Sequence, residues 1–317
     1  MPRNTLRIAT RRSRLARWQT DHVAARLRAS HPDLEIEIVE VVTTGDHVRD
    51  RKLSLIGEHG LFTQELERVL LAGGADIAVH SLKDLETTLP SGLDLLAIPE
   101  RADPRDALVS RTRRRLAELP LGARIGTSSI RRRGQLLALR NDLTFDDLRG
   151  NVPTRVAKLA AGENGLDAIV LAHAGLERLG LIEQVTEVLD PERCLPAVGQ
   201  GALAIEGPGD DRRVRELVIA LDHSPTRQAV LAERAFLRRL RGGCQVPAGA
   251  LGRIAGDALS LDGVVCTPDG RTLFRDRVEG PVAEAEAIGV RLAETLLAGG
   301  ADRVLAAIPA RSADLLK

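Results

Sequence analysis

The chain of 317 residues has no tyrosine, one tryptophan and four phenylalanines. Proteins that hold single-stranded nucleic acid stack its bases on aromatic rings, so no nucleic-acid partner is expected. Excess charge of one sign is also missing: 45 Lys and Arg face 44 Asp and Glu, a formal charge of +1. Nothing global therefore draws the chain to a polyanion or an anionic membrane. The three cysteines, Cys194, Cys244 and Cys266, are odd in number and far apart. They form neither a disulfide framework nor a CxxC pair, and a reduced, cytoplasmic setting is expected. The seven histidines show no HExxH or paired-ligand spacing, so no metal is expected. No Walker loop or GxGxxG is present, and Gly199-Gln200-Gly201 lacks the context of a dinucleotide loop. No apolar run nears the roughly 18 residues of a membrane span, and Met1 to Trp18 is polar and Arg-rich.

What is present is an aliphatic core composition, with 44 % hydrophobic residues. The length suggests two or three domains at roughly 100–200 residues each. Strand-like and helix-like segments alternate: 6–10 as strand, a helix from about Ser13, 34–42 as strand, 61–72 as an amphipathic helix, and 76–80 as a short buried strand. Such alternation favours an α/β fold with a largely parallel sheet. The plan then repeats. A strand at 124–126 precedes Thr127-Ser128-Ser129 opening a helix, and Asp76-Ile77-Ala78-Val79-His80 is echoed by 167–173. Two similar α/β domains with a cleft between them are expected. The last hundred residues read as a smaller α+β domain. Its first helix has Ser224 as N-cap and Pro225 at the first helical position. Ala229, Ala232, Phe236 and Leu240 share one face of that helix, and Gly242-Gly243 ends it. Antiparallel strands follow at 248–254, 259–266 and 272–278, then a helix over 282–297 with Ile288, Leu292 and Leu296 on one face.

Three places carry candidate chemistry. The first is a set of arginines at predicted strand-to-helix junctions: Arg11, Arg12 and Ser13; then Ser129, Arg131 and Arg132; then Arg149 and Arg155 around Gly150-Asn151. Helix N-termini offer free N–H groups to anions, and arginine grips carboxylates with a planar fork. These features describe a polyanion cleft, or else surface arginines beside ordinary caps. The second is His80-Ser81-Leu82-Lys83-Asp84, where a carboxylate at a strand end is suited to stabilising a cation or moving a proton. Taken alone it is equally a loop aspartate capping the next segment. The third is Gly242-Gly243-Cys244-Gln245, an accessible covalent attachment point or a small buried thiol. Cys194 and Cys266 are read as structural.

Together these residues resemble the porphobilinogen deaminase family. The blocks LRIATRRS, GDHV, HGLFTQELE, ADIAVHSLKD, ERADPRDA, GTSSIRR, LRGNVPTR, LAHAGLERLG, LPAVGQGALAIE and GGCQVP follow one another in that family's order. The resemblance implies two α/β domains like the lobes of periplasmic binding proteins, plus a small C-terminal α+β domain. Domain 1 would cover 1–100 and 199–221, domain 2 would cover 101–198, and domain 3 would cover 222–317. The implied activity joins four porphobilinogen molecules, with loss of ammonia, into hydroxymethylbilane. The implied primer is a dipyrromethane held by a thioether at Cys244, with Asp84 as catalytic carboxylate. Arg11, Ser13, Ser81, Lys83, Ser129, Arg131, Arg132, Arg149, Arg155 and Arg178 match positions that bind cofactor or substrate carboxylates. His59 and Phe62 match a lid that contacts substrate. A monomer is implied as well. Arg14, Leu55, His59, Gln64 and Glu86 depart from the common pattern, and His59 would make lid closure sensitive to pH near neutrality. The runner-up is a non-enzymatic two-lobed anion-binding protein, which has no need of Asp84 and Cys244 together.

Overall fold

The structure, a computed structural model, describes residues 4–42, 63–240 and 246–307. In chain order the elements are β1 (Thr5–Arg11), α1 (Arg14–Ser30), β2 (Glu35–Val41), α2 (Gln64–Leu71), β3 (Ile77–Ser81), β4 (Leu93–Ala97) and β5 (Asp106–Ser110). Then come β6 (Arg124–Gly126), α3 (Ile130–Leu139), β7 (Thr144–Asp146), α4 (Val152–Ala160), β8 (Ala168–Ala172), α5 (His173–Arg178), β9 (Glu187–Val188), β10 (Leu203–Pro208) and α6 (Arg212–Val218). The last are α7 (Ser224–Arg239), β11 (Ala248–Ala255), β12 (Ala258–Cys266), β13 (Leu273–Pro281), α8 (Ala285–Leu296) and α9 (Asp302–Ala306).

Two five-stranded sheets share one plan. The first has the order β2-β1-β3-β10-β4, the second β7-β6-β8-β5-β9. In each, the first three strands run parallel and the fourth runs antiparallel to both neighbours. The echo between 76–80 and 167–173 is thus structural, since β3 and β8 hold the same place. The central strands are buried along most of their length, as parallel sheets covered on both faces require. The fourth strands are exchanged along the chain. β10 returns after the whole second sheet to join β3, and β5 enters the second sheet at its start. Strand β10 and helix α6 share a core with β1 and α1, in which Leu203, Ile205, Val214 and Val218 meet Leu6, Ile8, Val23 and Leu27.

The C-terminal sheet is antiparallel in the order β11-β12-β13. Helices α7 and α8 cover one face around Phe236, Leu261, Ile288 and Leu292, all fully buried. The helical face expected from Ala229, Ala232, Phe236 and Leu240 is buried as predicted. The expected cap is displaced by one residue: His223 is the N-cap of α7 and Ser224 its first helical residue. His223 Nδ1 lies 2.8 Å from the Thr226 hydroxyl and caps no backbone N–H of the helix. The final helix begins as a 3₁₀ turn, Val282–Glu284, before α8. The expected helix end at Gly242-Gly243 lies outside the described residues, as does the start of the helix expected from 61.

Candidate active site

Three helices begin where strands end, and each is capped by the residue preceding it. Ser13 Oγ accepts from Ala16 N at 3.2 Å at the start of α1. Ser129 Oγ accepts from Arg132 N at 3.4 Å at α3, and Asn151 Oδ1 accepts from Thr154 N at 2.9 Å at α4. The capping and anion-site readings are therefore not exclusive. Each cap satisfies one donor, and the remaining first-turn N–H groups keep their partial positive charge. Half-buried Arg11, Arg149 and Arg155 stand beside these junctions, and Arg155 Nε donates to Gly150 O at 2.7 Å. Arg12 is exposed and turned to Glu40 at 3.6 Å.

Asp84 closes a 3₁₀ turn, Leu82–Asp84, directly after β3. Leu82 N donates to Ala202 O at 3.0 Å, and Leu85 N returns to Leu82 O at 3.1 Å, so the turn leans on the segment that leads into β10. That contact requires Gly201, whose φ is +88° and whose added Cβ would lie 2.5 Å from Ala102 O. Asp84 is exposed, with Lys83 half-buried beside it. Ser81 Oγ accepts from Gln19 Nε2 at 2.7 Å, and Lys83 Nζ lies 3.5 Å from Gln200 Oε1.

Arg131 and Arg132 are placed differently from the other arginines. Both are buried on Asp106, itself fully buried. Arg131 Nη1 reaches Asp106 Oδ2 at 2.8 Å and Leu195 O at 2.6 Å. Arg132 donates to Asp106 Oδ1 through Nη2 at 2.7 Å and to Val170 O at 3.0 Å. Gln200 Nε2 adds a bond to Asp106 Oδ1 at 2.8 Å. Burial opposes ionisation of Asp106, but the two guanidinium groups prevail and hold its carboxyl well below the usual carboxylate range. Gln200 also bonds Pro104 O at 2.8 Å. Beneath it, Arg101 donates to Gln200 O at 2.8 Å and to both oxygens of Glu233 on α7, at 2.5 and 3.1 Å. Glu233 also accepts from Gly199 N and Gly252 N, at 2.7 and 2.9 Å. One buried carboxylate thus joins the segments between the two five-stranded sheets to the C-terminal unit.

Burial acts on three further cations of this region. Burial, with Arg132 and Arg131 adding, pushes Lys83 down to about 8 against the pull of Asp84 and Asp106. Burial and then Arg132 push Arg155 down to about 10, and burial alone does the same to Arg178. Arg178 Nη2 donates to Gly201 O at 2.6 Å, and its guanidinium carbon stands 5.7 Å from the centre of the Trp18 ring. Desolvated Lys83 and Arg155 in the field of one exposed carboxylate fit a ligand carrying carboxylates, with a pyrrole or amine for Asp84. A dipyrromethane with its acetate and propionate groups has that chemistry. Cys194 and Cys266 are fully buried, and burial pushes their thiols up to about 12 and about 11. Cys244, Leu55, His59 and Phe62 lie outside the described residues.

The description "Porphobilinogen deaminase, dipyromethane cofactor binding domain" matches residues 6–216, and "Porphobilinogen deaminase, C-terminal domain" matches residues 227–298. The chain belongs to the porphobilinogen deaminase family. It is 51 % identical over 308 residues, 97 % of each chain, to porphobilinogen deaminase of Syntrophotalea carbinolica. It is 53 % identical over 298 residues to that of Pelotomaculum thermopropionicum, covering 94 % of this chain and 95 % of the other. Among solved structures, the methionine binding protein MetQ is similar at a TM-score of 0.43 and 13 % identity, over 69 % of this chain and 90 % of that one. The activity is that of a transferase, a hydroxymethylbilane synthase of tetrapyrrole biosynthesis with a dipyrromethane cofactor. The alternative of a non-enzymatic anion-binding protein is not favoured. Among the described residues no helix is long and apolar enough to cross a membrane.

Asp106, Gln200, Arg101, Glu233 and Gln19 escaped the sequence reading. Asp106 lies within ERADPRDA and Gln200 within LPAVGQGALAIE, so the blocks marked the neighbourhoods. The pairings themselves, Asp106 with Arg131 across 25 residues and Arg101 with Glu233 across 132, were not marked.

Proposed function

We propose that Asp84 is the catalytic carboxylate for the condensation of porphobilinogen, and that the primer is held by a thioether at Cys244. The observation that carries this reading is the exposed Asp84 at the end of β3, with desolvated Lys83 and Arg155 both within its field. Lys83, Arg11, Arg149, Arg155 and Arg178, with the hydroxyls of Ser13, Ser81 and Ser129, hold the acetate and propionate groups. When bound, the dipyrromethane would supply the nucleophilic pyrrole carbon to which the first substrate ring is joined. Asp84 accepts hydrogen bonds from pyrrole N–H, and its fixed negative charge stabilises the positive charge that develops on the substrate as ammonia departs. It then takes the proton released when the new ring regains aromaticity. Arg131 and Arg132 act at one remove. Paired with Asp106, they fix α3 and its capped N-terminus, and Arg132 adds its field to Lys83 and Arg155.

We also read the enzyme as a cytoplasmic monomer with no nucleic-acid partner; the two buried free thiols among the described residues support a reducing compartment, and the near-zero net charge supports the absence of nucleic acid. Domain 1 comprises 1–100 with 199–221, domain 2 comprises 101–198, and domain 3 comprises 222–317. Support comes from the core that β10 and α6 share with β1 and α1.

Intact-protein mass spectrometry tests attachment: the purified chain carries an excess equal to two linked pyrroles, and Cys244→Ser lacks it. An unmodified chain that still makes hydroxymethylbilane overturns the assignment. Asp84→Asn, carrying its primer, loses on the order of 10²–10⁴-fold in kcat.

A further inference from the structure

We propose that His80 and Glu206 form a buried positioning pair that sets the turn presenting Lys83 and Asp84. The inference rests on the proposed role of Asp84. Strand β10 runs antiparallel to β3, with Ala204 opposite His80 and Glu206 opposite Ala78. Side chains alternate along a strand, so His80 and Glu206 project from the same face and meet diagonally. His80 Nε2 lies 2.9 Å from Glu206 Oε2, and the side chains are 4 % and 0 % exposed. The register of β10 against β4 shifts between Ile205 and Glu206, the kind of irregularity that re-aims a side chain.

Helix α2 covers this face and buries Glu67 there. Burial first, and then the neighbouring Glu206, push the Glu67 carboxyl upward. From α7, Arg234 feels Glu206 and donates to Glu86 O at 2.6 Å and to Leu85 O at 3.4 Å. The turn at Asp84 is therefore held on both sides, by His80–Glu206 before it and by Arg234 after it. Among the described residues neither oxygen of Glu206 nor His80 Nε2 has a well-formed hydrogen bond, so the two side chains meet as a close polar contact only. A buried carboxylate so poorly satisfied costs stability, and an apolar pair would pack there more favourably. Neither residue reaches the cleft surface, so the pair acts only through where it puts the turn.

Three variants, each purified with its primer and checked by intact mass, test this. His80→Leu leaves Glu206 without its partner. The pair His80→Gln with Glu206→Gln keeps a polar contact, and the pair His80→Leu with Glu206→Leu keeps only packing. The expected result is a loss of kcat on the order of 10–100-fold in His80→Leu. KM should rise by a smaller factor than kcat falls, because Lys83 moves with the turn while the arginine junctions are untouched. The amide pair should recover most of kcat. The leucine pair should recover the urea midpoint and not kcat. Wild-type kcat in the leucine pair, or kcat that simply follows the urea midpoint, overturns the proposal. If His80→Leu does not fold, the two double variants still decide. An active Asp84→Asn would instead remove the role of Asp84, whatever the pair variants show.

Discussion

Lys83 holds its proton loosely. Burial is the main cause, Arg132 and Arg131 add to it, and Asp84 and Asp106 oppose it, leaving the ammonium with a pKa of about 8. It is charged below that value and neutral above it, and only the charged form attracts a carboxylate. KM for substrate should therefore rise as pH climbs through about 8. In Lys83→Arg the rise should be absent, because arginine stays protonated. A variant with the same midpoint would exclude Lys83 as its source. At this scale the sequence reading had uneven reach. That arginines stood at helix starts was visible, because strand, cap and helix are local. Which arginines were already engaged was not: Arg131 and Arg132 look like Arg155 in sequence, and the Asp106 that occupies them lies 25 residues upstream of Arg131 on another strand.

Helix α8 crosses α7 closely because Gly289 faces Ala232. A Cβ on Gly289 would lie 2.2 Å from Ala232 O, which is backbone and has no side-chain freedom to yield. Gly289→Ala should therefore destabilise the C-terminal unit by about 1–3 kcal/mol despite the better helix propensity of alanine. The urea midpoint reads this directly, and an unchanged midpoint would mean that the helices part at no cost. Both helical faces were legible, since Phe236 and Leu292 recur with their neighbours at helical spacing. The exchange of β5 and β10 was not. Strand pairing at long range leaves no trace in the local order of residues, and only the family likeness pointed to a return after Gly199. The cap at His223 shows a smaller limit: Ser-Pro marks a helix start to within one residue.

Across the whole molecule, Trp18 is a natural probe. It lies on α1 against the first sheet, stacked on His22 at 5.0 Å between ring centres. The guanidinium above it belongs to Arg178 on α5, which packs on the second sheet. Such a contact contributes about 0.5–1 kcal/mol when partly exposed. Trp18 is the single tryptophan, so the whole indole emission reports on this bridge. Arg178→Ala should shift that emission to the red and increase quenching by acrylamide, while Arg178→Lys should change it less. An unaltered spectrum in Arg178→Ala would mean that the guanidinium does not rest on the ring in solution. The two cysteines sealed in the interior also decide how the enzyme meets electrophiles. Neither ionises near neutral pH, so thiol-directed alkylating or nitrosating agents are left with Cys244, the third cysteine of the sequence. With the proposed thioether in place that target is spent, and assembly of the primer would leave the finished enzyme without an oxidisable thiolate.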